Sequence, residues 1–223
     1  MRVTAISDLH GNLPEIPEGT DVLVIAGDIA PDFYCDPAMG QDPVFHVGRQ
    51  LTWIAQVFLP FLEEMRDRRI IVIGIAGNHD WWCQVKTAEG NRWADGLPWI
   101  YLEDEGIVLG GKKFYGTPWQ PEFCDWAYNA TEDFMREKFS QIPADVDVLI
   151  SHGPPNGILD RVGRQNCGSV ALNRAVQRVM PPLTVFGHIH RPGVEVVEGC
   201  VFANVTVVNE KYELVYEPVS FEV

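Results

Sequence analysis

The chain is 223 residues long, 46% hydrophobic and 22% charged, which suits one ordinary soluble globular domain with a substantial core and excludes a low-complexity or fibrous protein. Its formal net charge of −14 repels nucleic-acid backbones at long range and argues against tight nonspecific binding to duplex DNA or RNA. No apolar run reaches the ~18 residues of a membrane span, and the opening "MRVTAISDLHG" lacks the apolar stretch and cleavage site of a secretory signal.

Five dispersed cysteines without a CxxC pair read as reduced thiols, so a cytoplasmic location is expected.

In chain order, the apolar, β-branched runs "RVTAIS" (2–7), "DVLVIA" (21–26), "IIVIGIA" (70–76), "VDVLIS" (146–151) and "LTVF" (183–186) predict buried strands. Between them, Val47, Leu51, Ile54, Phe58, Phe61 and Met65 recur in steps of three and four, which predicts a helix kinked at Pro60. Residues 88–105 are acidic and predict a solvated loop. Shorter strands are expected at 106–110 and 112–116, joined by a turn at Gly110-Gly111, and at 194–197, 200–205 and 212–217. Two further helices are expected at about 131–140, with acidic residues early, and about 169–180, ending before Pro181-Pro182. Strands interspersed with helices, without a repeat or a linker, predict one α/β domain over residues 1–223 with mixed sheets.

The residues that can carry chemistry cluster just past the buried strands. Asp8-Leu9-His10 succeeds the first, Gly27-Asp28 the second, Gly77-Asn78-His79-Asp80 the third, His152 the fourth and Gly187-His188-Ile189-His190 the fifth. Ligands in open α/β sheets bind at the carboxyl ends of strands, so strands lying side by side would gather these clusters on one edge. Singly each motif has a bland reading as turn chemistry or a solvated strand end. Jointly they account for five of the six histidines, leaving only His46 elsewhere. A mixed set of imidazole, carboxylate and amide donors suits Mn²⁺, Fe or Zn²⁺ and lacks the thiolates of a structural zinc site. His188 and His190, two apart on an extended segment, can form one clasp or serve two ions.

Taken as a series, "DLH … GD … GNHD … H … GHIH" resembles the signature of the calcineurin-like metallophosphoesterases. "GTPW" (116–119), "SHGPP" (151–155) and "FGHIH" are similar to the metallophosphoesterase-domain branch that includes class III-type cyclic nucleotide phosphodiesterases. The resemblance implies a four-layer αββα sandwich with two mixed β-sheets and two metal ions. By that likeness Asp8, His10 and His190 hold the first metal, Asn78, His152 and His188 the second, and Asp28 bridges both beside a nucleophilic hydroxide. Mn²⁺ is the expected ion, with Fe or Zn²⁺ as alternatives. His79 would contact phosphate and protonate the leaving alkoxide, with Asp80 as the expected carboxylate partner.

Departures from relatives narrow the substrate. "GDIAPD" lacks the arginine of the protein phosphatase motif GDxVDRG, no tyrosine stands three residues beyond Asp28, and Asp80 replaces the usual glutamate. These point to a small phosphate ester, nucleotide-type and possibly cyclic, rather than a phosphoprotein. A nuclease and a weakly active metal-binding scaffold are the alternatives; the first is disfavoured by the acidic balance, the second by an intact ligand set. Arg191 is a candidate phosphate contact or ion-pair partner, and Trp81, Trp82, Trp119, Phe33 and Tyr34 are candidate base walls. Residues 163–169 ("GRQNCGS") form a segment that could close over the site.

Overall fold

The computed structural model describes residues 1–32, 43–88 and 90–223, and within these not the side chains of residues 43–46. Strands β1 (Arg2–Ile6), β2 (Val22–Ala26) and β3 (Ile71–Ile75) run parallel, because each returns through a crossover rather than a hairpin. The crossover from β2 to β3 contains helices α1 (Pro43–Trp53) and α2 (Leu59–Asp67). After α3 (Trp81–Gln84), strand β4 (Ile100–Tyr101) extends this sheet in parallel.

The second sheet begins with the antiparallel pair β5 (Glu105–Leu109) and β6 (Lys112–Thr117). The pairing of Leu109 with Lys112 leaves Gly110 and Gly111 as a two-residue turn, both at positive φ (55° and 80°), which glycine tolerates at little cost. Beyond it come the short parallel pair β7 (Gln120–Pro121) and β8 (Asn129–Ala130), helix α4 (Glu132–Ser140) and strand β9 (Val148–Ser151). A small hairpin of β10 (Arg161–Val162) and β11 (Gln165–Asn166) precedes helix α5 (Val170–Val179) and strand β12 (Leu183–Phe186). Strands β13 (Gly193–Val197), β14 (Cys200–Asn204) and β15 (Val219–Glu222) complete the fold. The sheet orders are β15-β1-β2-β3-β4 and β13-β14-β12-β9-β6-β5.

Alternation along the strands builds the layers. Val22, Val24 and Ala26 of β2 and Ile73 and Ile75 of β3 meet Phe114, Val148, Ile150 and Val185 of the facing sheet. The residues between them, Leu23, Ile25 and Val72, point the other way, onto Ile54, Phe58, Phe61 and Leu62 of the helical layer. On the far side, Leu149 and Phe186 pack under α4 and α5 through Met135, Phe139, Leu172 and Val176. Both sheets are therefore mixed, each is covered on both faces, and the order is helix, sheet, sheet, helix: the αββα sandwich expected from the resemblance.

Three sequence expectations need correction. The first helix is not simply kinked at Pro60. A π-helical turn (Ile54–Phe58) separates α1 from α2, and the Leu59 N–H donates five residues back to Ile54. Pro60 has no N–H for the carbonyl of Gln56 and its ring crowds that carbonyl, so the distortion falls on the turn before the proline. Residues 212–217 do not form a strand. The Asn209 side chain accepts from the amides of Lys211 and Glu213, and Tyr212 sits at φ 60°, so local turn chemistry prevails. The 88–105 segment is more structured than a solvated loop, with a 3₁₀ turn (Trp93–Gly96), β4, and a buried Tyr101. Among the described residues no helix is long and apolar enough to cross a membrane.

Candidate metal centre

The parallel strands of both sheets end at the same edge. Beyond β1 and β14 the sheets are stitched together, with Ser7 N–H donating to Val205 O (2.9 Å) and Val207 N–H to Ser7 O (3.1 Å). All seven expected ligands lie at this junction: Asp8, His10, Asp28 and Asn78 from the first sheet, His152, His188 and His190 from the second.

Four of these residues, Asp8, His10, Asp28 and His188, have left-handed backbones with φ between 42° and 67°. Such a conformation costs a non-glycine residue about 1–3 kcal/mol and persists only when its surroundings hold it. Here they do. Asp8 and His10 donate to the carbonyls of Gly27 and Asp28, His188 N–H donates to the Asp8 carboxylate (2.9 Å), and His79 N–H donates to Asp28 Oδ1 (2.8 Å). Two glycines explain why the loops can approach so closely. A Cβ on Gly77 would collide with the Asp28 carboxylate, and one on Gly187 would collide with Ser7 and Asp8.

The donor atoms fall into groups. Asp8, His10 and His190 present ligand atoms within 4.8 Å of one another, and so do Asp28, His152 and His188. Asn78 joins the second, its Oδ1 lying 2.9 Å from both His152 Nε2 and His188 Nδ1. The groups touch through Asp28 Oδ2, which lies 3.7 Å from His10 Nε2 and 3.3 Å from His152 Nε2. Facing nitrogens such as His10 Nε2 and His190 Nε2, 3.3 Å apart, aim lone pairs at a common point unless one carries a proton. These buried imidazoles, carboxylates and an amide oxygen fit hard or borderline divalent cations. His188 and His190 thus belong to different groups, dividing the GHIH pair.

Electrostatics follow from burying so many ionisable groups together. Burial works to raise the Asp28 carboxyl, but His152, His79 and His10 outweigh it and hold it well below the usual carboxylate range. For His152, burial is overcome by Asp28, and its pKa rises to about 9. Burial and the neighbouring His152 push His188 down to about 3, and burial also holds His10 well below an ordinary imidazole. Asp8 is raised, chiefly by burial. A cation satisfies the same carboxylates without requiring a charged imidazole.

His79 makes a third such group with His10 and Asp32, beside the other two. Its Nε2 lies 3.9 Å from Asp28 Oδ2, while Nδ1 lies 3.0 Å from Asp32 Oδ2. Burial lowers its pKa, but Asp28 and then Asp32 more than offset this and raise it. The expected partner, Asp80, is elsewhere occupied. Its carboxylate accepts from the backbone amides of Ile29, Ala30 and Gly77 and from Trp82 Nε1, clamping the Asp28 loop to the GNHD loop. Burial and the charge of Asp28 raise it to about 6. Asp80 therefore holds backbone, and the carboxylate beside the His79 ring is that of Asp32. Gln50 of α1 also fixes this loop by donating to His79 O (2.6 Å) and accepting from Trp82 N–H. Nothing local marked Gln50, since its partner is 29 residues away.

The model of the calcineurin-like phosphoesterases matches residues 1–192, which spans every ligand motif. The chain belongs to the calcineurin-like phosphoesterase family. Human metallophosphoesterase domain-containing protein 1 is 41% identical over 128 residues, covering 55% of this chain and 39% of that protein. The chain thus aligns with well under half of this relative's length. A UPF0046 protein of Caenorhabditis elegans is 28% identical over 237 residues, covering 99% of the chain and 74% of the relative. The fold is similar to that of phosphopantetheinyl hydrolase from Mycobacterium tuberculosis, with a TM-score of 0.56, 18% identity and coverage of 94% and 90% of the two chains.

In this family member a cavity of about 510 Å³ opens over Asp28, Asn78, His79, His188 and His190. Of the expected base walls, Trp81, Trp82 and Trp119 do not line it. Trp82 is fully buried beneath α1, Trp81 packs against the same core, and Trp119 is held by Asp104 through Nε1 (2.8 Å). Phe33 and Tyr34 lie outside the described residues, as does the side chain of His46. Arg191 is exposed, does not line the cavity, and has no ion pair among the described residues. The 163–169 segment does border it, through Gln165, Asn166, Cys167 and Gly168. Sequence reading missed Phe123, Trp126 and Tyr212, which supply its aromatic lining. The aromatic content of the "EFCDWAY" segment was a signal for Phe123 and Trp126, and nothing local marked Tyr212.

Proposed function

We propose that this chain hydrolyses small phosphodiesters, nucleotide-type esters among them, at a centre of two divalent cations, Mn²⁺ foremost and Fe or Zn²⁺ as alternatives. The observation that carries this reading is that two of the candidate donor groups, Asp8–His10–His190 and Asp28–His152–His188, meet at Asp28. Asp8, His10 and His190 would hold one ion, Asn78, His152 and His188 the other, and Asp28 both. Two such ions would supply a nucleophilic water near neutral pH and offset charge on the phosphoryl oxygens.

Against its burial, Asp28 and Asp32 favour the charged form of His79, so it would act as a proton donor. In that form Nδ1–H would face Asp32, and Nε2–H would face the donor groups. As the oxygen of that water, its proton already given up to solvent, bonds to phosphorus, the opposite P–O ester bond would break and its alkoxide would take the Nε2 proton. Asp80 keeps Asp28 and His79 in register through backbone bonds.

The test combines metal content with turnover. Protein reconstituted with Mn²⁺ should contain close to two ions per chain and hydrolyse bis-p-nitrophenyl phosphate. Asp28→Ala should abolish that activity. His79→Ala should keep its metal and slow at least about a hundredfold the hydrolysis of a diester whose leaving group is an alkoxide, such as a 3′,5′-cyclic nucleotide. It should slow bis-p-nitrophenyl phosphate, whose leaving group needs no proton, much less. A metal content near zero after reconstitution would overturn the reading. Two bound ions without hydrolysis of any phosphodiester would favour the metal-binding scaffold.

A further inference from the structure

Residues 122–128 form a loop whose construction exceeds what a connection requires. Its ends are tied by the parallel pairing of Gln120 with Asn129 and Pro121 with Ala130. Asn129 Nδ2 closes the turn by donating to the carbonyls of Phe123 (2.8 Å) and Cys124 (3.0 Å). Two of its residues, Cys124 and Tyr128, stand at φ 55° and 53°. Ala127 N–H donates to the main-chain carbonyl of Asn78 (3.0 Å), which fixes the loop directly to a ligand-bearing turn. Strained, over-determined backbone of this kind clusters where a side chain must be held in one place.

The side chain so held is Trp126. Its ring lies 4.4 Å from that of His79, centroid to centroid, and Phe123 supports it edge-on at 5.4 Å. Phe123 itself is 58% exposed, an apolar ring left at the cavity mouth. On the other side of the histidine cluster, Tyr212 lies 4.3 Å from His10 and 5.4 Å from His190. The β10–β11 hairpin also lines the cavity, and there the side chains of Gln165 and Asn166 have no hydrogen-bond partner among the described residues. Away from the donor groups, the charged lining among the described residues is acidic: Glu122, and Glu132, which already accepts from the amides of Val170 and Ala171. No lysine or arginine is among the lining residues described. Such a wall favours a flat uncharged ring and disfavours a second anionic group.

Resting on the phosphodiesterase reading above, we infer that the cavity seats an uncharged heterocyclic substituent of the diester, a nucleobase in chemical class, with Trp126 as its stacking platform and Tyr212 as the facing rim. Stacking of one base on an aromatic side chain is worth about tenfold in affinity.

Two esters with a common leaving group isolate this contact: thymidine 5′-(p-nitrophenyl phosphate) and methyl p-nitrophenyl phosphate. The metal-loaded protein should prefer the thymidine ester by about tenfold or more in kcat/KM, mainly through KM. Trp126→Ala should cut that ratio by about tenfold, and Trp126→Phe, which keeps a ring, should hold it within about threefold. A ratio unchanged in Trp126→Ala, or a wild-type ratio near one, overturns the inference while leaving the phosphodiesterase reading intact. Hydrolysis of neither ester sinks that reading, and a second arm without turnover still decides the contact. Calorimetric titration should find uridine 5′-monophosphate bound about tenfold more tightly than ribose 5-phosphate by wild type, and equally by Trp126→Ala. Equal binding of the two by wild type refutes the platform.

Discussion

A carboxylate beside one imidazole nitrogen favours the charged form that the proposed proton transfer from His79 would need, and Asp32 Oδ2 lies 3.0 Å from its Nδ1. The sign of its effect is testable. Asp28 and Asp32 raise the His79 pKa against the opposing effect of burial, so the protonated, donating form persists to higher pH. Turnover should fall on the alkaline side as His79 loses its proton. Removing one of the two carboxylates lowers that pKa, so in Asp32→Asn the alkaline limb of the kcat–pH profile should move to lower pH. The metal content should stay the same. An unmoved limb in a fully metallated variant would remove Asp32 from this role. Asp80 was the nearer carboxylate in sequence, but three residues along a tight turn brought it back onto Gly77 N–H (2.8 Å) instead of alongside the ring. Sequence proximity named a carboxylate; the direction of its side chain depended on where β2 ended.

At the scale of elements, α5 shows how the helical layer supports the cavity. The helix has no acidic residue in its first turn. Ser169 caps it by accepting from Leu172 N–H (3.1 Å), and Glu132 of α4 reaches across to accept from Val170 (2.9 Å), from Ala171 (2.7 Å) and from the Ser169 hydroxyl. A carboxylate from a neighbouring helix thus satisfies the free amides and offsets the positive end of the dipole. Glu132→Ala should cost about 1–3 kcal/mol, read as a lower urea midpoint with an unchanged m-value. Glu132→Gln should recover part of the loss. An unaltered midpoint would show that water replaces the carboxylate without cost. The helix itself was legible from its apolar spacing. Its acidic cap was not, because the partner lies 38 residues away.

For the whole molecule, the centre is also a joint. Its ligands come from both sheets, and the chain carries a net charge of −14, so bound cations would tie the two layers together and relieve local carboxylate repulsion. Stripping metal with a chelator should lower Tm by at least about 6–12 °C, from a binding contribution of about 3 kcal/mol for one ion at a hundredfold excess over Kd and about 2–4 °C per kcal/mol at this chain length. Readdition of Mn²⁺ should restore it. A Tm indifferent to chelation would mean the junction is held by its backbone stitches alone.

The sequence by itself determined whatever depends on neighbours in the chain. Buried strands announced themselves as short β-branched runs, the Gly110-Gly111 turn as a glycine pair, and the site as polar clusters closing each run. The family signature then supplied the grouping of ligands, since identical motifs in the same order require the same fold to bring them together. Tertiary structure alone decided the rest: Asp32 as the partner of His79, Gln50 as its tether, Trp126 and Tyr212 as cavity walls, and the π turn before Pro60. Each of these turns on the direction of a side chain or a backbone group after two distant segments have packed. Period and composition report which residues are buried, but only the closed sandwich sets which of them face one another.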